Sequence, residues 1–465
     1  MAEKIQKKYG LLTAICTVVG TVIGSGVFFK AENILTATGG NLPIGIIAWI
    51  IGGLVMVICA YAFSILATRH EKVSGVVDYA EALVGKKYSF FMGWFQAILY
   101  FPTLTSVLAW VSARYICVLA GWEITGPQCM IIAGVLLISV FMMNALAPKI
   151  AGKFQVSATF IKLIPLFLMA IVGTVKGLSN GLLIENFTTV VDETVSTSSG
   201  LFKAVVATAF AYEGWICATS INAELKNAKK NLPKALVIGT LIIVAVYITY
   251  YIGLAGGIEN AVIMEGGEKG AKIAFSAVFS NFFGTLLFVF VVISCLGTLN
   301  GLTLGCSRAI YAIASRDMGP KSNIFKQIDS ETNMPVNSAL FGLLISSLWL
   351  LYFYGAVVTT IDTGNYVPGF AAWFGVFSFD SSELPIITTY AMYIPVFVAM
   401  MIKEKDLGVV KGKLAPVLAI IGSIFMCIAA VVAHKISVLY YLIVFAVLMI
   451  IGAFFMNSKS KKSNK

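Results

Sequence analysis

Apolar residues run along this chain in long blocks, separated by short polar stretches that hold most of its charge. Twelve blocks approach or exceed the roughly 20 residues a helix needs to cross about 30 Å of hydrocarbon. They lie near residues 11–36, 44–66, 88–119, 127–147, 153–176, 200–225, 234–255, 275–312, 336–354, 383–402, 413–433 and 436–456. A helix satisfies its own backbone N–H and C=O groups in hydrocarbon, so the pattern predicts an all-α membrane protein of twelve transmembrane helices. The eighth block exceeds one crossing, which predicts a helix that continues into the cytoplasm. The tenth is the least regular, because Gly364 to Asp380 mixes aromatic residues with turn formers. Residues 1–10 read as a polar N-terminal segment, 11–456 as a single domain and 457–465 as a basic tail. The first block is too long and too interrupted for a cleaved signal peptide.

Two blocks carry interruptions. Gly20, Gly24 and Gly26 fall within seven residues in the first, and each costs a helix interior about 1 kcal/mol against alanine. Either these small residues let helices pack closely, or the helix breaks and its freed backbone faces a polar cavity. A second interruption, Phe210-Ala211-Tyr212-Glu213-Gly214-Trp215 in the sixth block, raises the second reading. A break near Gly24-Ser25-Gly26 gives the outer half-helix free N–H groups and a positive dipole end, suited to a carboxylate. The inner half then ends in unpaired carbonyls of Thr21 and Val22, suited to an ammonium group. Carbonyls of Phe210 and Glu213 are placed to join them, while Ala211 and Gly214 bear on pocket width. The Ser25 hydroxyl either reaches the carboxylate or bonds back to its own helix. Phe210 either closes over the substrate or is a core aromatic. Five helices per unit invert the second unit relative to the first, the arrangement of transporters whose sites lie between two discontinuous helices.

Composition agrees with a membrane protein: 59% of residues are hydrophobic and 12% charged, and the mean hydropathy of +0.91 excludes an ordinary soluble domain. The net charge of +11 does not point to nucleic acid, because 25 of the 33 lysines and arginines cluster at the termini and in alternate loops. By the positive-inside rule these loops and both termini are cytoplasmic, which requires an even number of spans. Cys117 and Cys129 flank a short outer loop and either meet or simply pack. The eight cysteines and two histidines show no metal spacing. No phosphate loop, nucleotide fingerprint or catalytic triad occurs, so no enzyme activity, cofactor or metal is expected.

Two ionisable residues lie deep in apolar blocks. Lys162 sits about 14 Å along span five from Lys153. An ionisable group at that depth marks function by default, through site electrostatics or proton exchange, with a tether to backbone carbonyls as the alternative. Glu213 is either a proton-coupling group or a carboxylate satisfied by neighbouring helix ends. Thr68 to Lys87 reads as a cytoplasmic gate or a connector, and Pro102 as a kink in span three.

Gly24-Ser25-Gly26, the Phe210 to Trp215 stretch followed by Glu224-Leu225-Lys226-Asn227 and Asn231-Leu232-Pro233, and the Ser307 to Pro320 stretch closely resemble the amino acid, polyamine and organocation superfamily. The span-six sequence is most similar to the L-type amino acid transporter family, especially its bacterial alanine-serine-cysteine-type exchangers. The resemblance implies twelve helices with two inverted five-helix repeats plus two helices, helices 1 and 6 discontinuous, working by alternating access in the cell membrane. It implies sodium-independent exchange of small or medium neutral L-amino acids. Gly24, Ser25 and Gly26 would hold the carboxylate, and carbonyls near Thr21, Val22, Phe210 and Glu213 the amine. Phe210 matches a gating aromatic, and Lys162 the span-five lysine of sodium-independent members. The cysteine by which eukaryotic members join a heavy-chain subunit is not identifiable here, so no heavy chain is expected. The alternatives are a proton-coupled amino acid or polyamine permease of the same fold, or a sensor that binds an amino acid without moving it.

Overall fold

In a computed structural model of the chain, residues 10–70, 75–216, 225–358 and 374–456 are described. Among them, ten helices are long and apolar enough to cross a membrane, and Leu11–Val22 with Ser25–Ala37, bent by 47°, forms an eleventh crossing. The chain is therefore a multi-pass, all-helical membrane protein. With the bent pair as span one, the others are Leu42–Arg69 (two), Lys86–Ala120 (three), Pro127–Leu146 (four), Pro148–Ser179 (five), Ala228–Gly257 (seven), Gly270–Ala314 (eight), Val336–Ala356 (nine), Leu384–Lys403 (ten), Val410–His434 (eleven) and Ser437–Met456 (twelve). Span six is seen as Thr197–Ala211, whose 15 residues are too few to cross alone. The turn Tyr212 to Gly214 follows it, and its continuation at 217–224, with Glu224, lies outside the described residues. So do residues 1–9, Ser74, the stretch 359–373 and the tail 457–465.

Burial sorts the spans into centre and rim. In span three 83% of the best apolar window is buried, against 33% in spans five and nine and 11% in span twelve. Exposed Leu146, Ile150, Phe160 and Leu348 are what a rim surrounded by hydrocarbon requires. Local chemistry sets several helix ends. Asn41 caps span two by accepting from the Ile44 amide at 3.1 Å, and Gly121, at φ 72°, ends span three in the left-handed conformation.

Pro102 acts through packing. It has no N–H to donate, and Gln96–Tyr100 widens into a π-turn just before it. The Ile98 carbonyl, which an ordinary residue 102 would bond, instead accepts from Trp349 Nε1 of span nine at 2.8 Å. Span eight, 45 residues in all, is interrupted at Ser280, where φ is 71° and ψ is 163°. From Asn281 onward it is still about 51 Å long at 1.5 Å per residue. Between spans two and three lies the short helix Val76–Leu83. Its Asp78 pairs with Arg316, just beyond the end of span eight, and its Glu81 does so at 3.1 Å. At the end of span two, Arg69 meets Glu404 at 3.1 Å and also Asp406. The Arg69 hydrogen bond holds the Asp406 carboxyl below its ordinary range.

Candidate functional site

The break in span one falls at Ile23 and Gly24, slightly before the Gly24-Ser25-Gly26 centre read from the glycines. The Ile23 amide still closes the inner helix on Val19 O at 2.9 Å. Gly24 is extended, with φ −160° and ψ −141°, and the outer helix begins at Ser25. The amides of its first turn, Ser25, Gly26 and Val27, have no acceptor within the helix. Ser25 is fully buried, and its hydroxyl has no hydrogen-bond partner. It does not bond back to its own helix.

Gly26 is already helical, and what it permits is contact. A Cβ there would stand 2.6 Å from Ala211 Cα, so the outer half of span one touches the end of the helix Thr197–Ala211 backbone to backbone. Gly214, at φ 105°, takes a conformation that disfavours other residues, and a Cβ on it would lie 3.0 Å from the Thr21 carbonyl. The two interruptions are therefore neighbours in space. Both readings of the glycines hold: they pack closely, and they sit at a break.

The carbonyls that end the inner half are partly engaged. The Thr21 hydroxyl bonds its own helix, to Thr17 O at 2.9 Å and Val18 O at 3.0 Å, leaving the Thr21 carbonyl to face Gly214. Tyr247 of span seven lies 3.0 Å from both the Val22 and the Ala211 carbonyl, and its single hydroxyl proton serves one at a time. The Gly24 amide reaches the same hydroxyl. Tyr247 thus ties the end of the inner half of span one to the end of the helix Thr197–Ala211, a role not predicted from the sequence. The available signal was three tyrosines, Tyr247, Tyr250 and Tyr251, inside an otherwise apolar span.

Lys162 interrupts span five, between Pro148–Ile161 and Leu163–Leu168, and is fully buried. Its Nζ donates to the Gly20 carbonyl in the last turn of the inner half-helix. The alternative tether to a backbone carbonyl is present, and it fixes the Lys162 amine beside the break. The Glu213 carboxylate accepts from the Tyr100 hydroxyl and, at 3.1 Å, from the Gly214 amide. It is satisfied by a helix-end amide and a span-three tyrosine. Phe210 is 6% exposed and meets Phe29 edge to face at 5.5 Å.

The outer half of span one also carries buried charges, Lys30 and Glu32. Lys30 Nζ lies 2.6 Å from Glu383 Oε1, just before span ten, and 5.3 Å from the Phe210 ring centre. Glu383 also meets His434 Nε2 at 3.0 Å. Glu32 pairs with Arg114 of span three at 3.1 Å, and Arg114 covers the Phe29 ring at 4.8 Å. Lys162 and Glu213 are therefore two of several buried ionisable residues. Charges inside or bordering predicted spans were the signal for Lys30, Glu32 and Arg114. Among the described residues no cluster of histidine, cysteine, aspartate or glutamate could hold a metal ion. Cys117 and Cys129 are both buried free thiols.

A broken helix whose break meets the turn that ends a second helix, at a buried polar site, fits a transporter arrangement, and comparison with known proteins agrees. Residues 9–455 match the amino acid permease family. The chain is 28% identical over 443 residues to the serine/threonine exchanger SteT of Bacillus subtilis, covering 93% of each protein. It is 25% identical to the b(0,+)-type amino acid transporter 1 of Mus musculus, over 95% of this chain and 86% of that one. The crystal structure of MhsT in complex with L-phenylalanine superposes with a TM-score of 0.61 at 15% identity, over 92% of this chain and 99% of that one, which shows a shared fold. The chain belongs to the amino acid permease family, within the amino acid, polyamine and organocation superfamily, whose relatives here are transporters and not enzymes.

Proposed function

We propose that this chain exchanges small or medium neutral L-amino acids across the cell membrane, without sodium, by alternating access. The observation that carries the reading is the Ser25 hydroxyl, fully buried and unpartnered at the amide-bearing start of the outer half-helix. A polar group left unmatched at such depth costs about 1–3 kcal/mol, which a bound carboxylate would recover together with the free amides of Ser25 and Gly26. The Thr21 carbonyl and the second lone pairs of Val22 and Ala211 face the amine. Glu213 and the Phe210 carbonyl complete that side, and Gly214 keeps it narrow. Phe210, packed on Phe29, closes the outer path.

Sodium independence rests on Lys162. Its Nζ already holds the Gly20 carbonyl, and in its protonated form it would supply the positive charge that a bound cation would otherwise bring. The relatives named as an exchanger and as an amino acid transporter support amino acid exchange. Both termini are assigned to the cytoplasm from the lysine and arginine distribution, and the chain is taken to work without a heavy-chain subunit.

Uptake into proteoliposomes tests the reading. Labelled serine, alanine or leucine is expected to enter only when the lumen is preloaded with an amino acid, with no change on replacing sodium or collapsing a pH gradient. Uptake into empty vesicles that collapses with the pH gradient would establish the proton-coupled alternative. Saturable binding with no uptake would establish the sensor.

A further inference from the structure

Span twelve is fastened along one edge. Trp94 Nε1 donates to Leu448 O at 2.9 Å, and the Trp94 ring lies where Gly452 has no side chain. Phe445 meets Phe95 at 5.9 Å, and Tyr441 meets Phe379 at 5.1 Å. Toward spans ten and eleven there is instead a cavity of about 580 Å³, floored by Tyr88 and Phe91 of span three. This is roughly four times the ~150 Å³ apolar cavity that takes up a benzene ring, so it has room for an extended hydrocarbon.

The hydroxyls in its wall are already used. Tyr88 donates to Met392 O at 2.6 Å, Thr388 to Leu384 O at 2.9 Å, and the Tyr441 hydroxyl meets Thr388 Oγ1 at 2.5 Å. Cys427 adds only a weak thiol donor. A buried water needs two to four polar partners, and this wall has no hydroxyl proton left to give. The rim residues Val431, 55% exposed, and Leu442, 47% exposed, belong to two membrane spans, so they open onto lipid tails and not onto water. Between the wall residues Val431 and Val438, the turn joining spans eleven and twelve carries an exposed Lys435, a cation at the hydrocarbon boundary. A lysine there can donate a charge-assisted hydrogen bond to a lipid phosphate.

We propose that this cavity binds an acyl chain of a membrane phospholipid, with the phosphate of the same lipid toward Lys435. The site has a consequence for the transport path. Leu384 and Ile387 in its wall begin span ten, directly after Glu383, the partner of Lys30. His434, the other partner of Glu383, adjoins Lys435. A seated chain backs the element that holds the outer ion pair.

The test is photolabelling of the full chain in vesicles containing a phospholipid with a diazirine in mid-acyl position, mapped by peptide mass spectrometry. Labelling is expected to concentrate several-fold on Ala430, Leu442 and Phe445 over the openly exposed Phe160. Ala430→Trp, which fills the cavity, is expected to remove that excess and leave Phe160 labelling unchanged. Should this variant misfold, Ala391→Phe fills the cavity from the opposite wall. Lys435→Glu is expected to lower cavity labelling several-fold. Cavity labelling no denser than at Phe160, or labelling insensitive to the filling variants or to Lys435→Glu, would overturn the proposal. So would cross-links showing span twelve of a second copy in the cavity. None of these readouts depends on transport.

Discussion

Removing both partners of the Lys30–Glu383 pair is expected to cost less than the two single removals together. The side chains are 3% and 10% exposed and 2.6 Å apart. Breaking a buried pair from one side leaves an uncompensated charge, at about 3–5 kcal/mol. In Lys30→Met, Glu383 keeps His434 at 3.0 Å, which places the cost near the lower end. In Glu383→Gln, Lys30 keeps Ser382 Oγ at 3.4 Å and two ring faces at 4.8 and 5.3 Å. Those faces return about 0.5–2 kcal/mol, so the cost is again about 3. The double variant leaves neither charge, and its cost is expected at no more than about 3 kcal/mol. The coupling energy is then about 3 kcal/mol, at the upper end for contacting residues. Reversible unfolding in mixed micelles titrated with a denaturing detergent, followed by tryptophan fluorescence, measures all four proteins. Singles that add to the double within about 0.5 kcal/mol would show the two residues to be energetically independent and refute this reasoning.

Ser25→Ala is expected to stabilise the substrate-free protein by about 1–3 kcal/mol, because it removes a buried hydroxyl that has no partner. Loss of a hydrogen bond to a charged group, about 1.5–3 kcal/mol, is expected to weaken amino acid binding roughly ten- to a hundred-fold, and unchanged affinity by calorimetry would remove Ser25 from the site. Gly26→Val places side-chain carbon against Ala211 Cα, which is backbone and cannot rotate away; a loss of about 1–3 kcal/mol is expected in the same unfolding assay. Tyr247→Phe strips the shared donor from the Val22 and Ala211 carbonyls and is expected to destabilise by about 1–3 kcal/mol. Lys162→Ala frees the Gly20 carbonyl, and exchange in preloaded proteoliposomes is expected to fall sharply; unchanged rate and affinity would reduce Lys162 to a dispensable residue.

What was legible in the sequence follows from what hydrocarbon demands. A span must be long, apolar and helical, so the span positions could be read from hydropathy, and a cluster of glycines inside one marks an interruption. The motif around Glu213 carried the family. Contacts between spans were not legible. Tyr247 meets Val22 from 225 residues away, and Lys30 meets Glu383 from 353 away. Such pairings depend on the rotation of each helix about its axis. A soluble helix reveals that rotation as an apolar stripe, but a span with lipid on one face and apolar neighbours on the other hides it. For the same reason Ser25 stayed undecided between two partners until its hydroxyl was seen not to bond its own helix.

Seen together, the contacts divide span one into two differently anchored bodies. The inner half is held by Lys162 of span five at Gly20, and Tyr247 of span seven holds its end at Val22. The outer half lies against span six where Gly26 meets Ala211, and is pinned through Lys30 to Glu383 before span ten. Between them only Ile23 and Gly24 leave the helical path. An amino acid lying across that junction as proposed, carboxylate on the outer half and amine on the inner, would touch both bodies at once. A ligand shifts a conformational equilibrium only by its difference in affinity between the states. A substrate that bridges the break has such a difference built in, since any arrangement that separates the two halves must release one of its ends. The proposed exchange without a driving ion would need no more than this: the loaded carrier would reorient with both halves held by substrate, and the empty one would leave the Ser25 hydroxyl buried and unmatched.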